Sequence, residues 1–226
     1  TWLSINGTTV KIWSGVGNFT YDLNTTMLED GAYEVVVYAD DIIGKINSSR
    51  ILILVDNTPP SVTISHPAPN AILNASVNIT ISTEDSNLMS AELYINGILI
   101  YYWNQSGCKT YLWNVSAWGS GTYVVEVRAV DRAGNVNSTQ IMVLVDLTPP
   151  EVTIGYPKPN EIVASSEVEI NGTVIDNLSG VDRVWVRLDD GSWESVSVTD
   201  GRFSYKFENL TEGNHTIWVK AVDRAG

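Results

Sequence analysis

The sequence predicts an all-β protein made of antiparallel β-sandwich units arranged in tandem. Three observations support this prediction: a repeat of 90 residues, alternation of apolar and polar residues along most of the chain, and no amphipathic helical segment of useful length. Proline marks the repeat. The eight prolines of the 226-residue chain form two clusters with the same spacing, Pro59, Pro60, Pro67 and Pro69 and then Pro149, Pro150, Pro157 and Pro159. Since proline cannot donate a backbone hydrogen bond to a central strand, each cluster marks a joint between units.

Within a unit, the strands and turns follow from residue alternation and from turn chemistry. In the middle of the chain, residues 77–82 and 91–95 alternate apolar with polar side chains, which is typical of half-buried strands. Asn96-Gly97 then predicts a two-residue hairpin, because both central positions of a type I′ turn need positive φ. Asn6-Gly7 repeats this signal in the first unit, and Asp190-Gly191 takes its place in the third.

Two sets of motifs are specific enough to suggest a family. Thr-Pro-Pro-x-Val-Thr-Ile begins at Thr58 and at Thr148, and each copy is followed by Pro-x-Pro-Asn. Ala-Val-Asp-Arg-Ala-Gly occurs at 129–134 and at 221–226. Over essentially its whole length, the chain resembles the Big-type Ig-like repeats of bacterial and archaeal cell-surface proteins. The resemblance implies antiparallel Ig-like β-sandwich domains that serve as stacked spacer modules in adhesins, surface layers, filaments and secreted depolymerases, with no single activity.

A residue near the start of one long strand in each unit also resembles a feature of Ig-type sandwiches. Tyr33 and Tyr123 follow a glycine by two residues, and His215 holds the same position in the third unit. These residues match the tyrosine corner, whose side chain bonds a backbone carbonyl a few residues upstream, with His215 as a variant.

The repeat predicts one full unit between two incomplete ones. We expect residues 1–56 to form a partial Ig-like domain that lacks its first strands, residues 57–146 to form a complete domain, and residues 147–226 to form a domain that lacks its last strand. The favoured interpretation is that the chain is a portion of a longer protein, because such units need neighbouring strands to close a core. The alternative is that partner chains supply the missing strands, as in donor-strand assemblies.

The charge balance disfavours some partners. With 13 Lys plus Arg against 26 Asp plus Glu, the formal net charge is −13, which repels nucleic acid and anionic membrane surfaces. No apolar run approaches the roughly 20 residues that a membrane-spanning helix needs. Cys108 is the only cysteine, so no intramolecular disulfide can form, and we expect a buried structural thiol rather than an intermolecular bridge.

Acceptor sequences for N-linked glycans are frequent. Thirteen of the nineteen asparagines begin an Asn-x-Ser/Thr sequence, whereas composition alone predicts roughly 3. A glycan needs a solvent-exposed side chain, so the pattern predicts a heavily N-glycosylated extracellular protein, and many sequons without disulfides favour an archaeal source. The alternative is that asparagine and threonine are simply common in turns and on outer strand faces. The predicted sites are Asn6, Asn18, Asn24, Asn47, Asn74, Asn78, Asn104, Asn114, Asn137, Asn171, Asn177, Asn209 and Asn214.

Acidic residues concentrate near the joints. In an Ig-type sandwich, the linker enters at the end that carries two of the loops, so carboxylates from three segments converge there. Ca²⁺ prefers such oxygen ligands, and a bound ion would stiffen the joint. The alternative is ordinary turn capping, with Arg132 and Arg224 neutralising the carboxylates. The candidate metal ligands are Asp56, Glu84, Asp85 and Asp131 at the first joint and Asp146, Asp176, Asp182 and Asp223 at the second.

Outward-facing tryptophans form the third candidate site. Trp185 and Trp218 fall in the outward phase of their predicted strands, where an indole can stack on a sugar ring or contact a protein. Burial beneath a crossing strand or a neighbouring domain is the alternative. His66 and His215 belong to no metal-binding or nucleophile motif, and no glycine-rich phosphate loop occurs.

These features together predict a structural, non-catalytic protein of the cell exterior, part of a surface layer (S-layer), a filament or a stalk. The expected partners are copies of itself or other surface proteins, with surface glycans as further candidates and nucleic acid excluded. No cofactor is required beyond N-linked glycans, with Ca²⁺ at the inter-domain joints as a candidate. The alternative function is an adhesin or a carbohydrate-binding accessory module of a secreted protein.

Overall fold

The computed structural model describes residues 1–226 and confirms the predicted all-β class. It contains eighteen strands, labelled β1 to β18 in chain order, and two 3-10 turns, Thr25–Met27 and Val115–Ala117. No helix is long and apolar enough to cross a membrane. The strands are β1 Trp2–Ile5, β2 Thr8–Ile12, β3 Gly31–Asp40, β4 Ile46–Val55, β5 Ser61–His66, β6 Ile72–Leu73, β7 Val77–Glu84, β8 Leu88–Ile95, β9 Ile98–Trp103, β10 Gly107–Trp113, β11 Gly121–Asp131, β12 Val136–Val145, β13 Glu151–Tyr156, β14 Val168–Ile175, β15 Val181–Leu188, β16 Glu194–Val196, β17 Arg202–Phe207 and β18 Ile217–Asp223.

Residues 57–146 form a sandwich of two sheets. One sheet has the order β10-β7-β5, and the other has the order β6-β12-β11-β8-β9. Alternate residues of β7, β8 and β11 point between the sheets, because successive side chains of a strand face opposite sides. Side chains in this core that are at most 1% exposed include Ile79, Ile81, Leu93, Ile95, Trp113, Val125 and Val127.

The short strand β6 pairs in parallel with β12, the last strand of the middle unit. β6 follows the first proline cluster, and β12 ends at the second joint, so this pair connects the two ends of the unit. Three backbone hydrogen bonds hold the pair: Asn70 N to Met142 O at 2.7 Å, Leu144 N to Ala71 O at 2.9 Å and Asp146 N to Leu73 O at 2.9 Å.

Residues 1–56 form a single four-stranded sheet with the order β2-β1-β3-β4. Its inward positions are less covered than the equivalent positions of the middle unit: Ile51 is 62% exposed and Ile141 is 8% exposed, while Val37 is 42% exposed and Val127 is fully buried. Residues 17–23 correspond to β10 but form no strand, because no counterpart of β7 lies beside them to accept their backbone hydrogen bonds.

Residues 147–226 form two three-stranded sheets, with the orders β13-β14-β17 and β16-β15-β18. Gly172 on β14 fits tightly between the two flanking strands of its own sheet. A Cβ at this position would overlap the backbone oxygen of Thr153 and would lie 2.5 Å from Cζ of the Phe203 ring. The buried core of this region is formed by Val168, Ile170, Val174, Val184, Val186, Val196, Phe203 and Phe207.

The predicted Asn-Gly hairpins form. Asn96 has φ 47° and Gly97 has φ 76°, and Asn96 Oδ1 accepts a hydrogen bond from Val124 N at 2.8 Å. In the third region the prediction is wrong by one residue. The central residues are Asp189 and Asp190, because Gly191 N closes the turn on Leu188 O at 3.0 Å, and Asp189, with φ 48°, takes the role of Asn96.

The corner resemblance appears in all three regions. Tyr33 Oη donates to Glu29 O at 2.9 Å, and Tyr123 Oη donates to Trp118 O at 2.7 Å and lies 3.1 Å from Gly119 O. His215 replaces the hydroxyl with Nε2, which lies 2.9 Å from Thr211 O, while Nδ1 lies 2.8 Å from Asp189 Oδ2. The bonds to Asp189 and to the Thr211 carbonyl raise the pKa of His215 above its ordinary value, because both favour an imidazolium that donates from each nitrogen.

The expectation of a buried Cys108 is wrong, since this thiol is exposed. On β10, Lys109, Tyr111 and Trp113 occupy the inward phase. Cys108 therefore falls on the outer face of the strand, opposite Ser82 of β7.

Candidate functional site

The first joint brings together three of its four predicted acidic residues. Asp56 follows β4, Asp85 follows β7, and Asp131 ends β11. One carboxylate oxygen from each lies within 4.8 Å of the others. Glu84, the fourth candidate, is exposed at the end of β7 and lies outside this group.

The second joint repeats the arrangement with Asp146, Asp176 and Asp223, whose ligand atoms also lie within 4.8 Å of one another. Asp146 and Asp223 are buried, and Asp176 is half-buried. Asp182 lies outside this group, because its carboxylate is bonded to Arg183 Nε at 2.8 Å. We call these two groups the first and second Asp triads.

Backbone and side-chain donors position the acids of the first triad. Asp131 Oδ1 accepts bonds from Gly134 N at 2.8 Å and Asn135 N at 2.9 Å, and Asp131 Oδ2 accepts from Asn135 Nδ2 at 2.8 Å. Burial raises the pKa of Asp131, but these hydrogen bonds outweigh burial and hold the pKa below its ordinary value. Asn135 Nδ2 also donates to Asp56 O at 2.9 Å. The turn after β11 is therefore hydrogen-bonded to the linker that precedes the middle unit.

In the second triad, Asp146 connects the linker to a loop of the third unit. Its Oδ1 accepts from Thr148 N at 3.1 Å and Thr148 Oγ1 at 2.8 Å, and its Oδ2 accepts from Ser179 N at 3.0 Å. Burial raises the pKa of Asp146, but the bonds from Ser179 and Thr148 lower the pKa by more than burial raises it. The net pKa lies below its ordinary value, so the carboxylate stays ionised well into acid. Asp146 and Asp223 line a crevice of about 470 Å³ between the linker and the end of β18.

No positively charged side chain forms an ion pair with either triad. The ion pairs of the chain involve none of the six carboxylates, and neither Arg132 nor Arg224 takes part in one. Each joint therefore places three negative charges together, and N–H and O–H donors bond these carboxylates directly. Carboxylates from three segments, at a distance at which a single ion reaches all three, match the oxygen donor set that Ca²⁺ takes.

All thirteen sequon asparagines are exposed. Only two of them, Asn74 and Asn137, use Nδ2 as a hydrogen-bond donor, to Gly226 O at 2.8 Å and Pro60 O at 2.9 Å. Three asparagines outside sequons, Asn57, Asn87 and Asn135, are instead half-buried, and each donates from Nδ2 at a joint. Most sequon asparagines therefore take no part in the joints, and Asn74 and Asn137 are the two exceptions.

Trp185 and Trp218 lie on the outer face of the sheet formed by β15, β16 and β18, as their alternation indicates. Trp218 is 50% exposed, and Trp185 is half-buried. The structure adds cations that sequence reasoning missed. Arg183 and Lys220 lie 5.3 and 5.5 Å from the centre of the Trp185 ring, and Arg187 lies 4.8 and 5.4 Å from Trp193 and Trp218. We call this surface the Trp–cation face, and its members are Arg183, Trp185, Arg187, Trp193, Trp218 and Lys220.

The two histidines lie at a strand corner and at a strand end. His215 uses both ring nitrogens in the corner of the third unit. His66 is exposed at the end of β5, immediately before Pro67.

The fold and the joints define a class, that of tandem Ig-like β-sandwich proteins. Within this class, a family described as bacterial Ig domain matches residues 60–127 and 150–219, which together make up more than half of the chain. The protein belongs to this family. Ig-like repeat domains of this kind are typically non-catalytic. A search of curated proteins finds no match.

Solved structures with related folds come from varied proteins. Titin domains I67–I69 are 14% identical, with a TM-score of 0.52 over 99% of this chain and 84% of that one, a likeness that concerns the fold alone. The fibronectin(III)-like modules of Clostridium thermocellum CbhA are 24% identical, with a TM-score of 0.42 over 73% of this chain and 87% of that one. A tetra-tandem repeat from the extending region of a large adhesion protein is 22% identical, with a TM-score of 0.37 over 89% of this chain and 55% of that one.

Proposed function

We propose that the protein is a non-catalytic extracellular spacer, a part of a cell-surface layer, filament or stalk, whose joints hold successive sandwiches in a fixed orientation. The observation that carries this proposal is the bonding at the joints. Asn135 and Asn137 of the middle unit reach back to the carbonyls of Asp56 and Pro60, and Asp146 reaches forward to Ser179. Because these bonds cross from linker to domain, they restrict bending as well as stabilising each domain.

Calcium at the Asp triads would complete this design. An ion shared by a linker acid and two loop acids contacts all three only while the joint is closed, so binding adds free energy to the closed joint. The repetition of the triad at both joints supports this proposal. The lack of an ion-pair partner supports it as well, since three close carboxylates repel one another.

N-linked glycans are the second part of the proposal. The thirteen exposed sequons are spread over all three regions, and glycans there would shield open strand edges against pairing with other chains. The eleven sequons whose Nδ2 makes no hydrogen bond need no rearrangement to accept a sugar, whereas Asn74 and Asn137 would have to adjust theirs. An archaeal source, like the surface layer itself, stays a prediction.

Two measurements on protein isolated from its native host test the spacer proposal. Electron microscopy of the cell surface should show a layer or filament that antibodies against this chain label. Mass spectrometry should show hexose-containing adducts on several of the eleven unencumbered sequons. A dispersed protein, or unmodified peptides at all thirteen sites, would contradict the corresponding part of the proposal.

A second candidate function is a binding module, such as an adhesin or an accessory domain of a secreted protein. The observation that favours it is the Trp–cation face, because exposed aromatic rings that cluster on one face of a sheet mark interaction sites.

A further inference from the structure

The Trp–cation face combines aromatic rings and positive charge on one side of a sheet. Trp185 of β15 lies directly opposite Lys220 of β18, and Arg187 lies opposite Trp218. Rings and cations therefore alternate both along each strand and across the pair. Trp193, 41% exposed, extends the surface beyond Arg187 toward β16.

The fold does not require these residues, because the middle unit has different ones at the same positions. The shared Ala-Val-Asp-Arg-Ala-Gly motif and the strand register align Trp185 with Glu92, Arg187 with Tyr94 and Trp218 with Glu126. Five positions on the two strands align in this way: 183, 185, 187, 218 and 220 in the third unit with 90, 92, 94, 126 and 128 in the middle unit. In the third unit they carry a formal charge of +3, from Arg183, Arg187 and Lys220. In the middle unit they carry −1, from Glu92, Glu126 and Arg128. Both units fold as sandwiches, so the pattern is specific to the third unit and independent of its core.

The charge of this face is unusual for the chain. The protein has a formal charge of −13, yet three of its 13 basic residues lie on this one surface. Asp182 neutralises only Arg183. Arg187 and Lys220 have no acidic partner, and Nε of Arg187 is buried without a hydrogen-bond partner. The face therefore offers two uncompensated cations beside half-exposed rings.

We propose that the Trp–cation face binds an acidic saccharide chain, one whose sugar rings carry carboxylate groups. Guanidinium and ammonium groups bond carboxylates in charge-assisted pairs, and an indole presents a flat apolar surface to the C–H face of a pyranose. Trp218 and Trp193 supply the accessible rings, and Arg187 and Lys220 supply the uncompensated charges. From Arg183 to Arg187, the face is about 13 Å long at the rise of a strand, which suits an extended polymer. This inference depends on neither the calcium nor the glycan proposal.

Isothermal titration calorimetry with the full chain tests the proposal. The probes are polygalacturonate oligosaccharides, a neutral glucan oligosaccharide of the same length and poly-glutamate. We expect binding to the uronate that weakens when sodium chloride is raised from about 50 to about 500 mM and that exceeds binding to the neutral glucan and to poly-glutamate. Equal binding of the glucan would assign the face to aromatic stacking alone, and equal binding of poly-glutamate would assign it to an acidic protein. Either result, or no binding to the uronate, overturns the proposal.

Variants then locate the site. Lys220→Gln removes one exposed charge without touching the core, and Trp218→Ala removes one exposed ring. Each should weaken uronate binding about tenfold, as expected when one good contact is lost. Lys158→Gln, which removes an exposed lysine elsewhere in the same unit, is the matched control and should bind like the unmodified protein. Circular dichroism confirms that each variant is folded. Equal losses in Lys220→Gln and Lys158→Gln would mean that the ligand responds to overall charge and not to this face, and the spacer proposal would be unaffected.

Discussion

The substitution Asp176→Asn separates a metal-binding triad from simple turn capping, because only the metal interpretation predicts that calcium removes the stability that the substitution gains. Asp176 Oδ1 accepts hydrogen bonds from Leu178 N at 3.1 Å and Gly180 N at 2.6 Å. The Oδ1 atom of asparagine can accept both bonds equally well. The substitution therefore removes one negative charge and leaves the turn unchanged.

The magnitude follows from the distances in the second Asp triad. Without metal, Asp176 repels Asp146 and Asp223, whose oxygens lie within 4.8 Å. Two unit charges at such a distance interact by about 1 kcal/mol in water and by about 4 kcal/mol near a protein surface. Since backbone donors offset much of this repulsion, we expect Asp176→Asn to raise the free energy of unfolding of the third region by about 1 kcal/mol in EDTA.

Calcium should cancel the stability advantage of the variant. At a concentration of 100 times Kd, an ion stabilises the unmodified protein by about 2.7 kcal/mol, and a tenfold loss of affinity in the variant would halve that gain. Urea unfolding, followed by tryptophan fluorescence, measures both proteins with EDTA and with calcium, and the third region contributes Trp185, Trp193 and Trp218 to this signal. Asp182→Asn, an exposed acid outside the triad, is the control and should respond to calcium like the unmodified protein. An unmodified protein whose unfolding is identical in EDTA and in calcium would refute the metal interpretation.

Three further predictions concern the fold. Because bonds to Asp189 and Thr211 O raise the pKa of His215, these bonds should stabilise the third region fully below the unfolded pKa near 6.5. This stabilisation should fade as pH rises through the folded pKa. His215→Tyr restores the residue of the other two corners and should abolish that decline in a pH series of thermal melts. Gly172→Ala should destabilise the third region by about 3 kcal/mol, because a Cβ would press on the backbone of Thr153 and on the Phe203 ring. Gly97→Ala, with open space but φ 76°, should cost only about 1 kcal/mol in the same urea titration. Tyr123→Phe should cost about 1 to 2 kcal/mol, since a buried hydroxyl bonded to Trp118 O is lost, and an unchanged midpoint would show that the corner is dispensable.

The repeat, the strand alternation and the turn residues were enough to predict most of the architecture. These features depend on local chemistry: Asn96 adopts positive φ because its turn requires it, and Tyr123 reaches a carbonyl only a few residues upstream. The exposure of the strand sequons Asn78 and Asn171 agrees with the same alternation. The acid triads were predicted in outline, because a shared fold brings the same three segments together at each joint.

Details that depend on irregular pairing were not predictable. Asp182 lies at a break in the register between β15 and β18. The spacing between Asp176 and Asp182 in the sequence therefore could not predict whether the Asp182 side chain faces the triad. Cys108 was misplaced because a thiol was expected to follow its preference for burial, whereas the phase of β10 was decided by Tyr111 and Trp113. The cations around Trp185 could be recognised only once Lys220 was known to lie opposite it on another strand.

The parallel pairing of β6 with β12 decides how the middle unit responds to pulling. Tension along the array draws β6 toward the first joint and β12 toward the second, so the two strands are displaced along their length in opposite directions. The three backbone bonds between them are then loaded in shear and must fail together rather than open one after another. A unit clamped in this way can transmit force along the array while the sheets behind it stay folded.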